Sequence, residues 1–225
     1  MKKIILSLLV AFGLSTSALA VSLEGLSVGV SMANGGFYGI GEETSDNKRT
    51  GVDHPKQAGA FEAEFASVFV EYDVGPMSVG VDWIFETIET PKNKNVQVTS
   101  DTDQTLLNNE VHAEFENHIT LYGLLKSPLD GLLGGLYLKA GVIMVDINSL
   151  ETLETGGAYP DVDTTGITAG LGYAVDAGNG VSLRVEATAA EYDNVSAENQ
   201  NNSTTNVYIT DMMSAKANVS LVYSF

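Results

Sequence analysis

Five residues with chemical potential alternate along one stretch: His112, Glu114, Glu116, His118 and Thr120. In an extended strand, residues two apart share a face, so this spacing lines them up on one side. Two chemistries follow. A histidine oriented by an acid beside a hydroxyl makes a base and nucleophile, here His118 with Glu116 and Thr120. Imidazole and carboxylates together also make a donor set for a transition metal, here His112 with Glu114 and Glu116. Neither rises above background. Threonine is an uncommon nucleophile, alternation alone supplies such groups, and an internal histidine beside a glutamate usually forms a polar pair. The expectation is no enzyme, no cofactor and no metal site. No phosphate loop or zinc spacing appears. The chain has no cysteine, which removes thiolate chemistry and disulfides.

The elements that must position these residues are strands. From Met213 to Phe225 every odd position is apolar: Met213, Ala215, Ala217, Val219, Leu221, Tyr223 and Phe225. Ser214, Lys216 and Asn218 face the other way, and only Val222 breaks the pattern. A period of 2 held this long is a strand with one apolar and one polar face. Similar alternation marks strands near 25–40, 59–73, 77–85, 110–125, 136–144, 167–175 and 181–189. Asn34-Gly35-Gly36 reads either as a tight turn or as glycine within a long strand; Tyr38 and Ile40 keep the phase of Leu26, favouring the second. Phe61, Ala63 and Phe65 lie off the phase of Val68 and Val70, and a bulge near Phe65 would reconcile them. Connections alternate in length. Short ones fall near 74–76, 127–134 and 176–180, long polar ones near 41–58, 90–109, 149–163 and 193–206.

The polar faces carry Glu71, Asp82, Glu86, Glu114, Glu116, Lys139, Arg184, Glu186 and Lys216. Buried together, such charges must pair or stay hydrated; Glu186 with Lys216 is one expected pair. The alternative is a narrow cation-favouring path beside the small residues Gly80, Gly141, Gly170 and Gly172. The aromatics fall into two levels: Tyr72, Tyr173, Tyr223 and Phe225 near short turns or the last residue, Trp83, Phe85 and Phe115 farther along. Two such girdles suit two membrane interfaces.

The first 20 residues read as an export signal: Met1-Lys2-Lys3, an apolar run from Ile4 to Leu14, and a small-x-small site at Ala18-Leu19-Ala20. The run is too short to span a bilayer as a helix. Cleavage would leave 21–225 as one domain. Without Lys2 and Lys3, 9 of the 11 basic residues remain against 29 acidic ones, a formal charge of −20. That balance argues against nucleic acid as a partner. No later apolar run is long enough for a membrane helix. Spanning strands must therefore close into a barrel, since only closure pairs every backbone group in lipid. An exported soluble sandwich is the competing fold.

The last strand resembles that of bacterial outer-membrane β-barrels, in which Phe225, Tyr223, Leu221 and Val219 match the segment read by the barrel-assembly machinery. In architecture the chain resembles small OmpA/OmpX-type and opacity-type proteins, loosely grouped with porins. The resemblance implies an all-β, eight-stranded, antiparallel, up-and-down transmembrane barrel. It places that barrel in the outer membrane of a Gram-negative bacterium, exported by the general secretory route. Outer-membrane lipid and lipopolysaccharide would be its surroundings. Divalent cations at acidic loops would be further partners, through Glu42, Glu43, Asp46, Asp53, Asp101, Asp103, Glu151, Glu154, Asp161, Asp163 and Glu198. The expected role is structural or surface-interacting; a small passive pore comes second and a lipid-modifying enzyme third.

Overall fold

The computed structural model describes residues 23–45, 56–98, 106–154, 157–201 and 205–225. The expected signal segment, 1–20, lies outside the described residues, as do Asp46, Asp53, Asp101 and Asp103. Strands dominate: β1 (Leu26–Ser45), β2 (Gln57–Val74), β3 (Met77–Ile84), β4 (Ile88–Glu89), β5 (Asn93–Val98), β6 (Leu106–Lys126), β7 (Leu136–Leu153), β8 (Val162–Gly178), β9 (Val181–Tyr192), β10 (Val195–Glu198) and β11 (Thr205–Ser224). Every pairing between them is antiparallel.

β1 pairs with both β2 and β11, so the sheet closes on itself. β3, β4 and β5 follow one another along β6 as one interrupted stave, and β10 extends the β9 stave beside β11. The result is an eight-stave antiparallel barrel. At its lower end lie Gly75-Pro76, a 3-10 turn over Gly131–Gly135, and Asn179-Gly180. The upper end carries the longer connections.

The strands reach farther up than alternation alone suggests. β1 runs unbroken through Asn34-Gly35-Gly36, with no hairpin there. It ends at Ser45, β2 begins at Gln57, and β5 and β10 occupy parts of expected loops.

Alternation decides the two surfaces. Val30, Met32, Val70, Val79, Leu138, Leu171, Val185 and Leu221 stay about half exposed or more, outside. Ser27, Ser31, Phe69, Ser78, Thr120, Tyr137 and Ser220 are buried inside. An apolar outer belt around a closed sheet is what a hydrocarbon layer requires. The β1–β2 register has no break at Phe65. The expected bulge there is absent because Phe61, Ala63 and Phe65 simply face inward, continuing the phase of Glu71 into an apolar upper interior.

Two real bulges sit higher. The β6–β7 register slips between Glu116 and Ile119, with Asn117 at φ +50°. The β1–β11 register slips between Tyr38 and Ile40, with Asp211 at φ +51°. Each adds one residue to one strand and leaves a non-glycine in the left-handed region, where asparagine and aspartate are the tolerated choices.

Candidate functional site: a sealed interior and an acidic collar

The lower interior is built from two rows of three residues across neighbouring strands. Glu71, Gly80 and Tyr122 stand opposite one another on β2, β3 and β6. Tyr137, Gly172 and Glu186 do the same on β7, β8 and β9. In each row the glycine lets a tyrosine lie over its backbone and reach the acid. Tyr122 donates to Glu71 Oε1 at 2.8 Å, and Tyr137 donates to Glu186 Oε2 at 3.1 Å. A Cβ on Gly80 would come within 2.6 Å of the Tyr122 ring, and one on Gly172 would strike Tyr137. These two glycines are covered by rings rather than open to an ion path.

Cations complete both rows. Arg184 Nη1 sits 2.7 Å from Glu71 Oε1, and Lys139 Nζ sits 3.0 Å from Glu186 Oε1. Lys139 also lies 4.1 Å from the Tyr122 ring centroid, linking the rows by a cation–π contact. Lys216 Nζ approaches Asp82 Oδ2 at 3.9 Å. The expected Glu186–Lys216 pair is therefore replaced. Gly170 and Gly172 on β8 carry no side chain between Lys139 and Glu186, so those two meet, and Lys216 faces Asp82 instead. All six groups are largely screened from water, which makes pairing obligatory.

Above them the interior turns apolar. Phe37 stacks on Phe61 with centroids 4.9 Å apart, and Phe115 packs on both, at 6.4 and 6.3 Å. Ala33, Phe65, Ile84 and Ile88 close one side of this layer; Ile147, Val195 and Met212 close the other. Between the two layers is a cavity of about 20 Å³, lined among others by Phe65, His118, Lys139, Tyr192 and Lys216. That is room for one water molecule.

His118 borders this cavity and is buried. Its Nε2 lies 3.2 Å from the Tyr192 hydroxyl, which is 3.2 Å from Ser214 Oγ. Among the described residues Nδ1 has no hydrogen-bond partner, and none of their carboxylates orients the ring. Glu116, expected on the same face, points the other way. The Asn117 bulge inverts the phase of β6 above it. Phe115 turns into the core, so it is not an interface aromatic. Glu114 pairs with Glu89 and Glu116 with Asp146 on the outer surface, so neither is an interior charge. Glu86 is also outside: β3 stops at Ile84, and the break at 85–87 leaves Glu86 exposed, accepting from the Ala66 amide at 2.6 Å.

The remaining aromatics point outward. Tyr72 and Tyr223 are nearly half exposed at the lower end; Trp83 and Phe85 meet edge to face at 6.2 Å higher up. Tyr173 is half-buried and donates to the Leu132 carbonyl at 2.8 Å. Val219, Leu221, Tyr223 and Phe225 are all exposed, with the last two rings 4.9 Å apart.

Sequence reasoning missed a collar of acids outside the barrel. Following the outward phase of five strands past the last apolar residue ends on a carboxylate: Glu64 and Glu62 after Ala66, Glu191 after Ala189, Asp211 after Met213, Asp146 after Met144, and Asp163, already expected among the loop acids, after Ile167 and Thr165. Glu86, Glu114 and Glu116 join them. The signal was present as the acid that ends several of the alternating runs. Farther out, Glu110 takes Lys94 at 2.8 Å and Lys92 at 3.2 Å, and those hydrogen bonds hold its carboxyl below the usual range.

No family model matches the chain, and no curated protein matches it in sequence. Among solved structures it is similar to outer-membrane β-barrel proteins. The outer membrane protease OmpT of Escherichia coli has a TM-score of 0.49 at 10% identity, over 94% of this chain and 100% of that one. OprG of Pseudomonas aeruginosa gives 0.46 at 13%, over 88% and 97%. Neisserial surface protein A gives 0.42 at 9%, over 90% and 98%. At such identities no residue's role passes from them to this chain.

Proposed function

We propose that this is an outer-membrane barrel of a Gram-negative cell envelope that acts through its outer surface, as a structural or surface-interacting protein, and does not conduct. The observation that carries this reading is the filled interior: two salt-bridged tyrosine rows below, a phenylalanine layer above, and about 20 Å³ between. An eight-stranded barrel is only wide enough for its own side chains. Reconstitution of the folded protein into planar bilayers tests it. The expected record shows no stable open level. A stable conductance that falls in Asp82→Asn would establish a pore instead. Neutralising Glu114 or Glu116, which lie on the outer face, would leave such a conductance unchanged.

The partners follow from the same surface. The acidic collar tops the apolar belt, at the level where the phosphates of lipopolysaccharide would stand, and shared divalent cations would reconcile the two anionic layers. Thermal unfolding in lipopolysaccharide-containing bilayers, with calcium or with chelator, tests this contact. Chelation is expected to lower the midpoint for wild type more than for Glu62→Gln/Glu64→Gln. Val219, Leu221, Tyr223 and Phe225 present a continuous outward row for the assembly machinery. Phe225→Ala should slow insertion in cells while sparing refolding in detergent.

A further inference from the structure

Three donors converge on the outer face of the β4–β6 ladder. Glu89 and Glu114 are direct cross-strand partners, and His112 lies two residues from Glu114 on the same face. One donor atom from each falls within 4.8 Å of the others. Two carboxylates placed opposite each other on paired strands repel, and nothing in the backbone register requires this pair. β4 pairs with β6 at Ile88 and Glu89, and Thr90 continues the contact with two hydrogen bonds to Ala113, so the repelling carboxylates sit inside a hydrogen-bonded ladder. His112 adds a second anomaly. Its Nδ1 is shut off from solvent with no hydrogen-bond partner among the described residues. A polar atom screened from water and left unmatched is ordinarily destabilising.

One occupant fits the three converging donors, an imidazole nitrogen and one oxygen from each carboxylate. We propose that Glu89, His112 and Glu114 form a binding site for a divalent first-row transition metal ion, of the zinc type. A dication neutralises the facing carboxylates and takes a lone pair from the imidazole. One nitrogen and two carboxylate oxygens form a donor set that suits zinc and its neighbours, whereas calcium seeks six or more oxygens. Three protein ligands leave coordination positions open to water. The site faces outward above the apolar belt, so ions reach it from the external medium. An ion there clamps β4 onto β6 and closes the gap left by the broken stave at 85–87.

The test uses the folded full-length barrel in detergent, with zinc chloride as probe and calorimetry as readout. One zinc per chain is expected to bind, and about tenfold excess calcium should not displace it. Even residues that only hydrogen-bond to a metal's ligands are worth about 10–100-fold in metal affinity, so His112→Ala should weaken binding by about tenfold or more. Glu114→Gln should do the same, while Asp130→Asn, exposed at the opposite end of the barrel, should leave zinc affinity unchanged. His112 faces outward, so its variant should keep the heat-modifiable band of the folded barrel. Zinc affinity unchanged in His112→Ala overturns the site. So does displacement by calcium at equal concentration, which would reduce the signal to the general acidity of the collar. Should Glu114→Gln fail to fold, Glu89→Gln gives the same reading from the other strand.

Discussion

The two halves of β6 carry the same alternating script and do opposite things with it. Below Asn117, the strand turns His118, Thr120 and Tyr122 into the barrel and leaves Ile119 and Leu121 outward. Above Asn117, it turns Ala113 and Phe115 inward and sends His112, Glu114 and Glu116 outside. A single extra residue separates a buried histidine that bonds a tyrosine from an outer histidine set among acids. Placement on a face, not residue type, decided what chemistry each histidine has available. The interior divides at the same height. Below, stability depends on matched charges; above, on stacked rings.

The largest effect is expected below. Removing one partner of a buried ion pair leaves the other charge uncompensated and costs about 3–5 kcal/mol. Arg184→Met strands Glu71, whose Oε2 already lacks a hydrogen bond. Urea unfolding of the refolded barrel should show that loss. Glu71→Gln/Arg184→Met should recover most of it, because the pair is removed together. If the single and double variants unfold alike, the lower interior is not held by charge, and the contrast between the halves fails.

Phe115→Ala is the matching change above. Phe115 is only partly buried, so the cost should lie near the lower end of the range for phenylalanine truncation, about 3 kcal/mol. Proteolysis should locate the damage in the upper hairpins formed by β4, β5 and β6, with the lower belt protected. Uniform loss of protection would mean the two layers form one cooperative unit.

Much of this architecture was legible in the alternation, because lipid outside and polar side chains inside impose a period of 2 on every stave. Glu71, Asp82, Lys139, Arg184, Glu186 and Lys216 were placed together on that basis, and the barrel does gather them. Their partners were not legible. Pairing across β8 depends on Gly170 and Gly172 carrying no side chain, a property of three strands at once rather than of any one. The bulges were hidden for a different reason. One added residue changes neither composition nor local alternation on either side, so Glu114, Glu116 and Phe115 were carried onto the wrong faces. A clue did exist in Phe61 and Phe65. Apolar residues on the inward phase of β2 meant an apolar upper interior, and Phe115 belonged with them.

Asn117 itself gives a smaller, sharper test. At φ +50° it occupies a region that costs a residue with a Cβ about 1–2 kcal/mol, more for a β-branched one. Its Nδ2 also donates to Asp146 Oδ2 at 2.6 Å. Asn117→Val should lose both, destabilising by about 2 kcal/mol. Asn117→Gly keeps the conformation and loses only the hydrogen bond, so it should fall between wild type and valine. Equal effects from the two variants would mean that the hydrogen bond, rather than the bulge conformation, separates the two faces of β6.

The smallest effect belongs to the outermost part of the upper half, where, among the described residues, β5 pairs with β6 alone. Hydrogen bonds from Lys94 and Lys92 lower the pKa of Glu110 in the folded protein. A depressed folded value means that the contribution is fully present above the unfolded carboxylate value. It is then lost as pH falls through the folded one. Amide exchange along Asn93–Val98 should therefore be slow at neutral pH and quicken on acidification below the ordinary carboxylate range. Glu110→Gln should exchange faster at neutral pH and lose that acid dependence. Exposed pairs are weak and screened by salt, so raising ionic strength should blunt the same protection while leaving the buried Glu71–Arg184 pair untouched. That difference in salt response measures how far the charges of the collar and loops differ in kind from those sealed inside the barrel.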